Sequence, residues 1–145
     1  MTSERRRRKS INSMSKKDLI KILDRCFSEY IRLSAADDQG YIICPTCFKA
    51  YHWKEMDCSH YVNRDHLSVR WDERNAIAQC QSENRFQSGN IYKLRQVLVD
   101  RFGEKEIQEV GKLADKPWAE DAFSLRVKIA EYREKVKIVK KEKGL

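Results

Sequence analysis

The chain has 145 residues, enough for one domain with a modest core. With 36% charged residues and a net charge of +8, its first expected partner is a polyanion, usually nucleic acid. No apolar run is long enough to span a bilayer and there is no signal-peptide core, so a soluble, cytoplasmic protein with no membrane contact is expected.

The first 14 residues carry Arg5, Arg6, Arg7, Arg8 and Lys9 in one run. Such a run repels itself and buries no apolar area, so 1–14 reads as a disordered basic tail. It serves either as a solvated end or as an arm for phosphates. Ser15 then opens a helix, with Asp18 at capping-box spacing. Leu19, Ile22, Leu23, Cys26, Phe27, Tyr30 and Leu33 give that helix one apolar face, and Cys26 reads as a small core residue. Residues 36–40 end it in a turn.

Tyr41, Ile42 and Ile43 form a short β run leading to Cys44-Pro-Thr-Cys47, and a second run follows around Ala50 to Trp53. This is the pattern of a metal knuckle at a hairpin tip. A strand over 57–62, a loop over 63–75 and a helix starting near Gln81 come next. Ile91 to Phe102 fits one helix stopped by Gly103, and Ile107, Val110 and Leu113 fit a second. After Pro117, a third helix is marked by Trp118, Phe123, Val127, Ile129, Tyr132, Val136 and Val139. No linker or repeat divides 15–145.

Five Cys is an odd number, and four of them lie between positions 44 and 80. In a reducing compartment that spacing points to a metal rather than disulfides. Cys44 and Cys47 fit two thiolates to one tetrahedral zinc, with Cys80 as a third ligand. Glu83 stands where a fourth Cys is natural. Glu83 through oxygen, Cys58, or no metal at all remain the alternatives.

His60, Asn75 and Asn84 are the candidate catalytic set. A strand His, a loop Asn and a helix Asn converge if the knuckle pins strand to helix. Phosphodiester hydrolysis needs a neutral imidazole to take a proton from water, a divalent ion to polarise the phosphate, and a group to orient the imidazole. Arg64, Arg70, Arg74 and Arg85 surround this set and suit phosphate contacts, or pair with Asp65, Asp72 and Glu73. Trp53 and Trp71 serve as base-stacking platforms or as core, and core is favoured for Trp53.

At these residues the sequence resembles the HNH, or ββα-metal, nuclease superfamily, and more closely the phage NinG/Rap recombination proteins. The matching residues are Asp57-Cys-Ser-His60-Tyr61, Arg70-Trp-Asp-Glu-Arg-Asn75, Gln79-Cys80, Asn84 and Ser88-Gly-Asn90. They continue at Lys116-Pro-Trp118 and Ala130-Glu-Tyr132, so the resemblance runs over about 15–141. It implies an α+β fold: a ββα-metal core with a Cys zinc knuckle, flanked by an N-terminal helix and C-terminal helices. It implies a magnesium- or manganese-dependent endonuclease that cuts branched DNA, Holliday junctions and D-loops, in recombination in the host cytoplasm. By position, His60 is then the general base, Asn75 orients it and Asn84 holds the catalytic ion. Many such sites have Asp just before the base; here Ser59 stands there, and Asp57 is the substitute carboxylate. His66 is a weaker candidate, in a loop. Symmetric junction cutting also implies a homodimer. The rival reading keeps the fold but not the chemistry: a non-catalytic zinc-knuckle protein that binds branched DNA.

Overall fold

The computed structural model describes residues 9–145. The expected arm residues Arg5 to Arg8 lie outside the described residues. Within the expected 1–14 tail, Ile11–Ser13 forms a 3-10 turn, and Ile11 and Met14 pack against the core. Two apolar side chains at this spacing are enough to tie the segment down.

Helix α1 (Lys16–Ala35) starts where Ser15 caps it, its hydroxyl accepting from the Asp18 amide at 3.2 Å. Its buried face is Leu19, Leu23, Cys26, Phe27 and Leu33, spaced by three or four residues as a helix requires. At the other end of the chain, α5 (Ala122–Lys143) buries Leu125, Ile129, Tyr132 and Val136 at the same spacing. Phe123 and Val127, expected on that face, are 67% and 51% exposed. Leu125 takes the inward position because the true stripe runs through 125, 129, 132 and 136. The two helices lie side by side in the same direction. Tyr132 packs on Phe27 and Tyr30, while Lys143 reaches the carbonyls of Leu33, Ser34 and Ala36. Burying each Leu or Phe here contributes about 1.5–3 kcal/mol.

In chain order between these helices come two small antiparallel sheets. In the first, β1 (Tyr41–Ile43) pairs with β2 (Ala50–His52), register Ile42 to Tyr51. Gly40 enters it at φ +86°, and an added Cβ would lie 2.7 Å from His52 Nε2, so only Gly fits there. In the second, β3 (Met56–His60) pairs with β4 (Ala76–Cys80), from Met56–Cys80 to His60–Ala76. Helix α2 (Gln81–Phe86) follows β4 directly and packs back on β3, completing a ββα order. Helices α3 (Ile91–Phe102) and α4 (Glu104–Ala114) close the other side through Leu94, Leu98 and Ile107 on Ile77. The fold is thus α+β, with helices at both ends and the two hairpins in the middle.

Candidate active site and metal centre

Cys44 and Cys47 sit in the loop of the β1–β2 hairpin, and Cys80 ends β4. Their three sulfurs all lie within 4.8 Å of one another, and Cys47 Sγ is 3.7 Å from Cys80 Sγ. Tetrahedral zinc with thiolate bonds of about 2.3 Å separates its sulfurs by about 3.8 Å, so this set fits such an ion. Backbone amides already point at the sulfurs: Cys80 N–H at Cys44 Sγ and Glu83 N–H at Cys80 Sγ, both at 3.4 Å. Burial pushes the Cys44 thiol up, but the Thr46 hydroxyl and nearby amides outweigh it and bring it to about 7. Thr46 is in turn held by Gln79, whose amide also donates to the Gly89 carbonyl. Cys44, Cys47 and Cys80 are the group that can hold a metal such as zinc. Cys58 stands apart on β3 opposite Ala78, and burial pushes its thiol up to about 12. Glu83 does not join the three sulfurs; its carboxylate accepts from Asn90 Nδ2 at 3.0 Å.

His60 ends β3 and lies on two adjoining grooves of about 540 and 360 Å³, both of which Asn84 also lines. Its ring stacks on Phe27, centroids 6.1 Å apart. Nε2 lies 2.8 Å from the Arg70 carbonyl. A carbonyl only accepts, so Nε2 carries the hydrogen and Nδ1 keeps a lone pair. Among the described residues Nδ1 has no hydrogen-bond partner. Burial pushes the imidazole below its ordinary range, against the opposing pull of the Arg70 carbonyl. The ring is therefore neutral at physiological pH.

Asp57 and Asn84 meet across the β3–α2 contact, Asn84 Nδ2 donating to Asp57 Oδ2 at 2.9 Å. Arg85 grips the same carboxylate with Nε and Nη2 at 2.8 and 2.9 Å. Asn75 is fully buried, and its side chain bonds to Val62 N–H, Val62 carbonyl and Val69 carbonyl. These bonds go to the 61–75 loop rather than to His60. Asn75 thus shapes the loop that brings the Arg70 carbonyl to the imidazole. Ser59 is buried at 2% exposure.

Every predicted DNA-contact arginine within the described loop and helix has a carboxylate partner. Arg64 and Arg70 both bind Asp24, Arg74 binds Asp72 and Glu106, and Arg85 binds Asp57. Arg74–Asp72 is the ion pair expected from sequence. Lys9 is exposed. His66 bonds to the Ala114 carbonyl, away from His60. Trp53 and Trp71 are both 8% exposed, and Trp71 Nε1 donates to Asp24, so neither is a free stacking platform.

Asp24 is the residue that sequence reasoning missed. It takes a bidentate grip from Arg70 and bonds from Arg64 and Trp71. Burial pushes its carboxyl up, yet the Arg70 contacts outweigh that and hold it below its ordinary range. Its only signal was an acid beside Leu23, at the edge of the apolar face of α1. Asp24, Ser28 and Arg32 project from successive turns of α1 to form one wall of the larger groove. That groove sets Arg25, Arg32, Lys54, Arg64 and Arg85 against only Asp24 and Asp57.

No helix among the described residues is long and apolar enough to cross a membrane. No curated protein and no solved structure matches the chain. The family described as bacteriophage lambda NinG protein matches residues 2–142, which is nearly the whole length. The chain therefore belongs to the NinG family, with a phage recombination-related function.

Proposed function

We propose that this protein is an HNH-type, divalent-metal-dependent endonuclease that cuts branched DNA during phage recombination. The observation that carries the reading is His60: a neutral imidazole in a cation-rich groove, oriented through Nε2 and open at Nδ1. Nδ1 takes the proton from the attacking water, and the Arg70 carbonyl holds the ring and stabilises the imidazolium that forms. Asp57 and Asn84 would hold magnesium or manganese, which when bound polarises the scissile phosphate and stabilises the leaving oxygen. Their oxygens are the hard donors such ions prefer. To serve there, Asp57 must give up one oxygen from Arg85. Arg85 then turns to the phosphate beside it. The groove cations Arg25, Arg32 and Lys54 have no carboxylate partner among the described residues and provide the phosphate contacts. Arg64, Arg70 and Arg74 position the site more than they touch DNA, while Arg5 to Arg8 and Lys9 supply an additional basic arm.

Cys44, Cys47 and Cys80 would hold zinc where β4 passes into α2, and so fix the start of the helix that carries Asn84. Residues 15–145 act as one nuclease domain in the host cytoplasm. A homodimer supplies two such sites for symmetric cutting of a four-way junction. The test is cleavage of a four-way junction in magnesium and in manganese. His60→Ala and Asp57→Ala are expected to lose cutting by at least about a hundredfold while still binding the junction. Cutting by His60→Ala at the parent rate overturns the mechanism.

One observation favours a second reading, a non-catalytic binder of branched DNA. Asp57 is fully engaged by Arg85 and Asn84, and Ser59 offers no carboxylate. Junction binding by the parent with no cutting in either ion selects that reading.

A further inference from the structure

We propose that Glu83 is the fourth ligand of the knuckle metal, its carboxylate leaving Asn90 to complete a site of three sulfurs and one oxygen. The proposal rests on the reading of Cys44, Cys47 and Cys80 as a metal site, and not on the nuclease reading.

The open side of the cluster is defined by its surroundings. Cys44 is fully buried, whereas Cys47 and Cys80 face a cavity of about 250 Å³. An ion held by the three sulfurs therefore has its fourth position on the cavity side. Glu83 and Asn90 line that same cavity. Glu83 is one helical turn beyond Cys80, and its amide already donates to Cys80 Sγ at 3.4 Å. The backbone of Glu83 is thus fixed beside the cluster, and only side-chain rotation separates its carboxylate from the fourth position. What holds the carboxylate away is one hydrogen bond, from the neutral Asn90 amide at 3.0 Å.

Magnitudes favour the rotation. A single hydrogen bond of this kind is weak once its exchange with water is counted. Metal binding to a complete knuckle is far stronger, and each of its ligands carries a share of it. Three thiolates and a carboxylate overcompensate a divalent ion, and Lys49 on the cavity wall offsets part of the excess. Metal uptake also releases Asn90, which sits at φ +47° where the chain turns into α3. The preceding residues Ser88 and Gly89 line the groove that holds His60. Loading of the knuckle is thereby felt one residue from the cleft wall.

The experiment is titration of the full chain with cobalt(II), read from the visible ligand-field bands. The parent, Glu83→Gln, Glu83→Cys and Asn90→Ala are compared, each first shown folded by circular dichroism. The parent is expected to show a tetrahedral three-sulfur, one-oxygen spectrum. Glu83→Gln should bind at least about tenfold more weakly with shifted bands. Glu83→Cys should move the bands to lower energy as a fourth thiolate enters. Asn90→Ala keeps the ligand but frees it, and should bind a few-fold more tightly. Identical titrations for the parent and Glu83→Gln overturn the proposal and assign the fourth position to water or to Tyr51, which also lines the cavity, leaving the metal site intact. An unchanged affinity in Asn90→Ala also overturns it. A parent that binds no cobalt overturns both this proposal and the metal-site reading, whatever its nuclease activity.

Discussion

In the Cys knuckle, the contacts that organise the ligands come from neutral backbone amides and a hydroxyl, some one turn away and some, such as Cys80 with Cys44, 36 residues apart. Backbone amides of Cys80 and Glu83 point at sulfurs, and Thr46 bonds to Cys44 two residues away. In the groove beside it, the contacts are ion pairs between residues far apart in sequence, such as Arg70 with Asp24 at a separation of 46. The knuckle presents neutral donors to groups that a cation can claim. The groove pairs Arg64 and Arg85 with its own carboxylates and leaves Arg25, Arg32 and Lys54 without one among the described residues. A basic composition therefore overstates the free cationic surface: the arginines nearest His60 are structural, and the unpaired cations come from α1 and the β2–β3 connection.

The difference between the two regions can be broken most forcefully from the knuckle. A chelator is expected to destabilise metal-loaded protein by several kcal/mol, because β4 and α2 are both anchored at Cys80; a thermal melt with and without chelator measures it. On the groove side, Asn75→Ala removes three buried hydrogen bonds of the 61–75 loop. A loss of about 3 kcal/mol in urea unfolding is expected, with binding of the junction kept below the melt. If Asn75→Ala instead keeps full stability and loses only cutting, then Asn75 acts on His60 directly. Asp24→Asn leaves Arg70 and Arg64 without their shared charge and should cost about 2 kcal/mol, measured in the same way.

A smaller effect is the pH dependence from His60. Its folded pKa lies below the ordinary 6.5, so the unfolded chain takes up the proton first as pH falls. Stability from this group is complete above about pH 6.5 and declines below it, until the folded ring also protonates. His60→Gln should flatten that part of a stability-versus-pH curve. Under the proposed mechanism, the acid limb of kcat/KM for junction cutting falls in the same range, below 6.5. The smallest effect is expected from Arg74→Ala. Its pairs with Asp72 and Glu106 are partly exposed, and about 0.5–1 kcal/mol is expected in urea unfolding.

Much of the element order was legible because it depends on near neighbours. Ser15 caps α1, Gly103 separates α3 from α4, and the Cys-Pro-Thr-Cys turn sits at a hairpin tip. The inward stripe of α5 was misjudged at Phe123 and Val127. A helix offers several apolar stripes, and only docking against α1 selects one. The same limit applies to the site. Cys44, Cys47, Cys80, His60, Asp57 and Asn84 are picked out by residue type and motif spacing, while the contacts joining Cys80 to Cys44 and Asn84 to Asp57 cross 36 and 27 residues. The partner of the His60 ring is a backbone carbonyl, which no residue type announces.

The sequence by itself determined the family, the hairpin carrying Cys44 and Cys47 with Cys80 as the expected third ligand, and a histidine at the end of the neighbouring strand. These follow from residue identity and from periodicities of two and 3.6 residues, which act over one element at a time. Only the tertiary structure decided which charges are free. It paired Arg64 and Arg70 with Asp24, gave Asn75 to the loop rather than to the ring, and turned Glu83 toward Asn90. Electrostatic pairing and burial depend on distances of a few ångströms between segments tens of residues apart, and those distances exist only once the chain has packed.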